Sequence, residues 1–112
     1  MRTINLENGM PSSLDAMTTL NNRIYAERAT GARCVKIIHG YGSTGHGGAI
    51  RKACRQKLLE YRRRRVIRDL CAGEKLGPFC EEGRRFAEVC PEIRSDIDWG
   101  RENPGITIVL FK

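Results

Sequence analysis

No run of apolar residues in this chain approaches the length of a membrane span. Its opening residues, Met1-Arg2-Thr3-Ile4-Asn5, carry no hydrophobic leader region. No membrane partner is expected, and the cytoplasm is the expected location. There is no C-x-x-C pair: the five cysteines, at 34, 54, 71, 80 and 90, are odd in number and irregular in spacing, so no metal site is expected. Cys34 and Cys54 fall within apolar patterns and read as small core residues, a usage that suits a reducing compartment. Internal repeats and low-complexity segments are absent. Gly40-Tyr41-Gly42-Ser43-Thr44-Gly45 satisfies G-x-G-x-x-G, but the acidic residue expected at the end of the following strand is missing, since Glu60 falls within a predicted helix. No Gly-Lys-Ser/Thr follows these glycines either. Nicotinamide and nucleoside triphosphate binding are therefore not expected.

The 112 residues suffice for one domain with a modest core, residues 1–112 forming a single unit. Net charge is +7, and its distribution says more than the total. Residues 51–68 hold nine Lys or Arg against the single acid Glu60, a local charge of +8, which leaves the remainder at −1. Clustered cations of this kind suit a polyanionic partner, because phosphate-backbone affinity comes from displaced counterions. Residues 69–104 carry nine acids against five cations and are not expected to form the polyanion-binding face.

The chain reads as a strand at Thr3–Leu6 and a helix opened by Ser12 or Ser13, with Met17, Leu20 and Ile24 at helical spacing. A buried strand, Cys34–Ile38, follows. A turn with glycines at 40, 42, 45, 47 and 48 leads into a second helix from about Gly48 to Arg62. A strand over Val66–Cys71, a loop over Gly73–Gly83 and a short helix over Arg84–Cys90 are expected next. The near-continuously apolar Ile106–Phe111 reads as a central strand. This order predicts an α/β sheet with right-handed crossovers. A glycine-rich turn from strand to helix N-terminus exposes amides to an anion, and His39, His46 and Arg51 lie in or beside it. Arg51, Lys52 and Arg55 crowd the positive end of the helix dipole, a cost that a bound anion would offset. Arg62, Arg63, Arg64 and Arg65 close the helix.

Ile37-Ile38-His39-Gly40-Tyr41-Gly42, then Gly48-Ala49-Ile50-Arg51 opening a helix, then Asn103-Pro104-Gly105-Ile106-Thr107-Ile108-Val109 as the closing strand, resemble the Smr (small MutS-related) domain over nearly the whole chain. The resemblance implies a two-layer α/β sandwich with a mixed sheet in βαβαβ order, similar to the C-terminal domain of translation initiation factor three. It also implies nucleic-acid binding, and in several members endonuclease activity on DNA or RNA; others act around branched DNA or stalled ribosomes. His39, Gly40 and Gly42 match the family's His-Gly-x-Gly turn. The family's Leu-Asp-x-His motif falls at Ile4-Asn5-Leu6-Glu7, where Asn5 replaces the aspartate and Glu7 the histidine. The candidate binding set is His39, Gly40, Tyr41, Gly42, His46, Arg51, Lys52, Arg55 and Arg62 to Arg65, with Tyr41 able to stack on one exposed base. His39 and Glu7 are the candidate catalytic pair for a nuclease, with Arg51 stabilising phosphate charge and Mg²⁺ or Mn²⁺ assisting; binding alone requires no cofactor. Recognition of DNA or RNA is expected to follow backbone or shape, since no groove-reading element is evident. Relative to simpler members, the acidic segment before the last strand reads as an insertion that either covers an edge of the sheet or docks a protein partner.

Overall fold

A computed structural model describes residues 1–41 and 47–112. The candidate contacts of Gly42 and His46 lie outside the described residues. Strand β1 (Arg2–Asn5) leads to helix α1 (Ser13–Ala29), strand β2 (Cys34–Ile38), helix α2 (Gly47–Arg63), strand β3 (Asp69–Ala72), helix α3 (Glu81–Val89) and strand β4 (Ile106–Leu110). Short 3₁₀ turns occupy Gly73–Lys75 and Pro91–Ser95. The sheet order is β1-β2-β4-β3, with β1 parallel to β2 and β4 antiparallel to both neighbours.

Local chemistry explains the helix boundaries. Ser12 caps α1 by accepting a hydrogen bond from the Asp15 amide at 3.1 Å, and Asp15 suits the positive end of the dipole. Ala16, Leu20, Ile24 and Glu27 form the buried stripe of α1. Glu27 is tolerated there because Arg2 and Arg23 both pair with it. The hydrogen bond from Arg2, reinforced by Arg23, outweighs burial and holds the Glu27 carboxyl below the usual carboxylate range. Helix α3 begins at Glu81, three residues earlier than its apolar pattern suggests, because Glu81 and Glu82 favour a helix N-terminus. The expected strand at Val66–Cys71 is corrected to Asp69–Ala72. Val66 and Ile67 are buried, but in the turn that leaves α2: Arg65 adopts φ 62°, and the amides of Val66 and Ile67 fold back onto the Tyr61 carbonyl. An apolar pair of this kind looks the same in a strand or a plugged turn.

The α/β sandwich is built by strand alternation. Ile4, Val35, Ile37 and Val109 face α1 and α2, meeting Leu20, Ile24, Cys54, Leu58 and Tyr61. Cys34, Cys71, Ile106, Ile108 and Leu110 face the other way, onto Leu76, Phe86, Cys90 and Ile93. The segment between β3 and β4 thus folds onto the second face of the sheet, which is why all five residues of β4 are buried. Cys54 is the core residue its pattern suggested. Cys34 is buried too, but it is joined to Cys90, a pairing that a separation of 56 residues conceals in the sequence.

Helix α3 packs without clearance on the 75–77 backbone: a Cβ on Gly83 would lie 2.5 Å from both the Lys75 carbonyl oxygen and the Gly77 amide nitrogen. Backbone atoms cannot yield as a side chain can. Gly83→Ala is expected to lower stability by about 2 kcal/mol, read from denaturant midpoints, whereas Glu88→Ala on the exposed face shifts stability by less than about 0.5 kcal/mol.

A candidate nucleic-acid interface at one edge of the sheet

Strands β1, β2 and β3 run in the same direction, so their carboxyl ends share one edge with the start of β4. In open α/β sheets this is the edge where ligands bind. It gathers Glu7 after β1, His39-Gly40-Tyr41 after β2, Gly73-Glu74 after β3, Asn103-Pro104-Gly105 before β4 and the N-terminus of α2.

His39 is fully buried beneath this edge. Its Nδ1 lies 2.7 Å from the Gly40 carbonyl oxygen and its Nε2 2.8 Å from Thr107 Oγ1. A carbonyl only accepts, so Nδ1 carries the proton and Nε2 accepts from the Thr107 hydroxyl. That hydroxyl in turn accepts from Arg55 Nε at 3.1 Å. Burial, with the charges of Arg55 and Arg51 adding to it against the raising effect of the Gly40 carbonyl, pushes the imidazole down to a pKa of about 4. The ring is neutral at pH 7, with both nitrogens engaged. Where an acid and a phosphate contact were expected, His39 braces the turn from within, an arrangement that does not favour either role.

Arg55, another expected phosphate contact, is also turned inward. Its guanidinium grips Glu74 with two bonds of 3.1 and 2.7 Å and also donates to the carbonyls of Pro104 and Ile106. The hydrogen bond from Arg55, outweighing burial, holds the Glu74 carboxyl below its usual range. Asn5, at the motif position of an aspartate, accepts a hydrogen bond from the Glu7 amide at 2.8 Å and shapes the turn. Glu7 is exposed, and among the described residues no hydrogen bond or ion pair joins it to His39. Gly105 accepts from the amides of both His39 and Gly40, at 2.9 and 3.0 Å. A Cβ on Gly105 would lie 3.2 Å from the Tyr41 ring, so the half-exposed Tyr41 rests on bare backbone.

The Smr domain family model matches residues 9–75, more than half of the chain. The chain belongs to the Smr domain family. The crystal structure of the Smr domain of Thermus thermophilus MutS2 is similar in fold, with a TM-score of 0.62 and 18% identity, the likeness covering 100% of this chain and 99% of that one. None of the curated proteins matches the sequence. Smr domains are associated with nucleic-acid binding and endonuclease activity. The family match ends just after β3, whereas the structural likeness runs through the later segment and β4.

In this Smr domain the expected basic contacts separate into two groups. Arg51 and Lys52 lie at the glycine-turn end of α2, and Arg62 to Arg65 lie about 18 Å further along at 1.5 Å per residue. Arg62 pairs with Asp69 at 2.9 Å, and Arg64 lies 3.5 Å from Glu60. Arg51, Lys52, Arg63 and Arg65 have no carboxylate partner among the described residues. At 100° per residue Arg51, Lys52, Arg55, Arg62 and Arg63 fall within one third of the helix circumference, beside the buried stripe of Ile50, Cys54, Leu58 and Tyr61. Thr107 and Glu74 were missed in the sequence reading. Thr107 was visible as the single polar residue in an apolar strand, whereas nothing local distinguishes Glu74.

The unfolded chain protonates His39 near its ordinary value of 6.5, whereas the folded protein keeps it neutral down to about 4. Between those values the unfolded state binds the extra proton, so stability falls as pH falls. The expected loss from pH 7 to 4 is about 3 kcal/mol, followed by denaturation at stepped pH. His39→Asn should flatten this slope.

Proposed function

We propose that this Smr domain binds the phosphate backbone of nucleic acid along α2, without reading base sequence and without cleaving the strand. The observation that carries this reading is the set of cations left without carboxylate partners, Arg51, Lys52 and Arg63 on α2 and Arg65 in the turn that follows it, on a chain whose family is associated with nucleic acids. Unpaired surface cations release counterions from a polyanion at no cost in broken ion pairs. Against cleavage stand the enclosed, neutral His39 and the replacement of the first-strand aspartate and histidine by Asn5 and Glu7. Against a docking role for the acidic segment stands the internal use of its charge: Asp69, Glu74, Glu82, Glu92, Asp96 and Asp98 all engage cations of this same chain.

Anisotropy titrations of labelled DNA and RNA across ionic strength test the proposal. With four cations engaged on duplex DNA, log K should fall against log salt with a slope of about −3.5. Arg51→Ala and Lys52→Ala should each reduce that slope by about one and leave the melting temperature in place. Arg55→Ala should instead lower the melting temperature. Strands should remain intact with Mg²⁺ or Mn²⁺ present. Binding insensitive to salt, or absent at low salt, refutes the proposal, and metal-dependent cleavage abolished by Glu7→Gln replaces it with an endonuclease.

A further inference from the structure

On the sheet face opposite α2, Cys34 of β2 and Cys90 at the end of α3 are joined sulfur to sulfur. Both are buried, and Glu92 Oε1 lies 3.3 Å from Cys34 Sγ and 3.1 Å from Cys90 Sγ. In the dithiol state this one carboxylate oxygen accepts from both thiols. Cys34 and Glu92 also line an open surface depression of about 370 Å³ together with Arg2 and Arg33. Cys34 thus borders solvent at this depression, and the guanidinium of Arg33, unlike that of Arg2, which Glu27 engages, favours an anionic solute there. We infer that Cys34 and Cys90 form a reversible thiol–disulfide site whose oxidant is a small anionic disulfide of the glutathione class, with Glu92 as proton acceptor.

The chemistry balances. Glu92 takes the Cys34 proton, and the Cys34 thiolate attacks one sulfur of the small disulfide, releasing the first small thiol and leaving a mixed disulfide. Cys90, losing its proton to the same carboxylate or to water, attacks Cys34 Sγ and releases the second small thiol. Two electrons pass from the protein pair to the small disulfide, and both protons leave on the released thiols. The remaining buried thiols are poor competitors. Cys54 and Cys71 sit in the two cores, where burial pushes each up to about 12.

The crosslink closes a loop between residues 56 apart and ties the segment covering the second face to the sheet. From Cys90-Pro91 that segment continues to Asp96 and Asp98, which hold Lys36. Oxidation thus fastens the cover whose far end, Asn103 to Gly105, seats the His39 turn. The inference does not depend on nucleic-acid binding.

The test treats the reduced, full chain with oxidised glutathione, blocks free thiols by alkylation and maps peptides by mass. A linked Cys34–Cys90 peptide is expected, with Cys54 and Cys71 alkylated only after unfolding, and the melting temperature should rise by roughly 10 °C on oxidation. Cys90→Ser should arrest at one glutathione on Cys34. Glu92→Gln should slow crosslinking roughly tenfold, because an unassisted thiol is only a few per cent thiolate at neutral pH, with the same end state reached; Glu92→Asp should restore part of the rate. Separate alkylation of Cys34 and Cys90 after oxidation, a link through Cys80, or absence of the adduct in Cys90→Ser would overturn the inference.

Discussion

Thr107 places a single hydroxyl between two donor-acceptor demands that no other side chain of β4 could meet. Its proton goes to His39 Nε2, and its oxygen receives Arg55 Nε. Both partners are attached to the same edge of the sheet by other means, His39 through its backbone bond to Gly105 and Arg55 through Glu74 and the carbonyls of Pro104 and Ile106. The hydroxyl therefore couples the end of β2, the end of β3, the start of β4 and the first half of α2. Removing it would leave polar groups buried without partners, which costs more than the bond itself contributes. The candidate interface inherits its shape from this interior network, and the charges facing solvent are those the network does not use.

A second buried chain of contacts acts from the other side of the sheet. Lys36 would lose charge to burial, but the hydrogen bonds and attraction of Asp98 and Asp96 outweigh it and hold its ammonium above the ordinary lysine value. Asp98 also accepts from the side chain of Asn103, whose Oδ1 accepts from the Gly105 amide. A buried ion cluster is a weak source of stability because desolvation offsets its attraction. Its geometric effect is clear: it positions the 103–105 turn, and that turn carries the carbonyl on which His39 and Gly40 hang.

The electrostatic division of the molecule follows from these two networks. Six of the nine acids of residues 69–104 are drawn onto cations of the same chain, and α2 keeps an excess of positive charge along its outer side. Charge segregation in the sequence thereby becomes spatial segregation. The cover over the second face is acidic in composition but largely neutralised in structure, while the helix over the first face remains cationic at both ends.

The family and the α/β order were legible because they rest on local and ordered signals: the His-Gly-x-Gly turn, the capped amphipathic α1, and an apolar β4 whose pattern requires cover on both faces. The basic helix was legible as well, since clustering along a helix survives folding. Which cations stay unpaired was not, because Arg55 finds Glu74 and Arg62 finds Asp69 only when β3 comes to lie beside β4. The fate of His39 was hidden for the same reason. A histidine after a strand reads alike as ligand or strut, and its partner Thr107 is 68 residues away. Sequence by itself determined the periodicities, the turns and the sign of the charge; tertiary structure alone decided which polar groups face one another, because hydrogen bonds and ion pairs depend on distances that chain order does not encode.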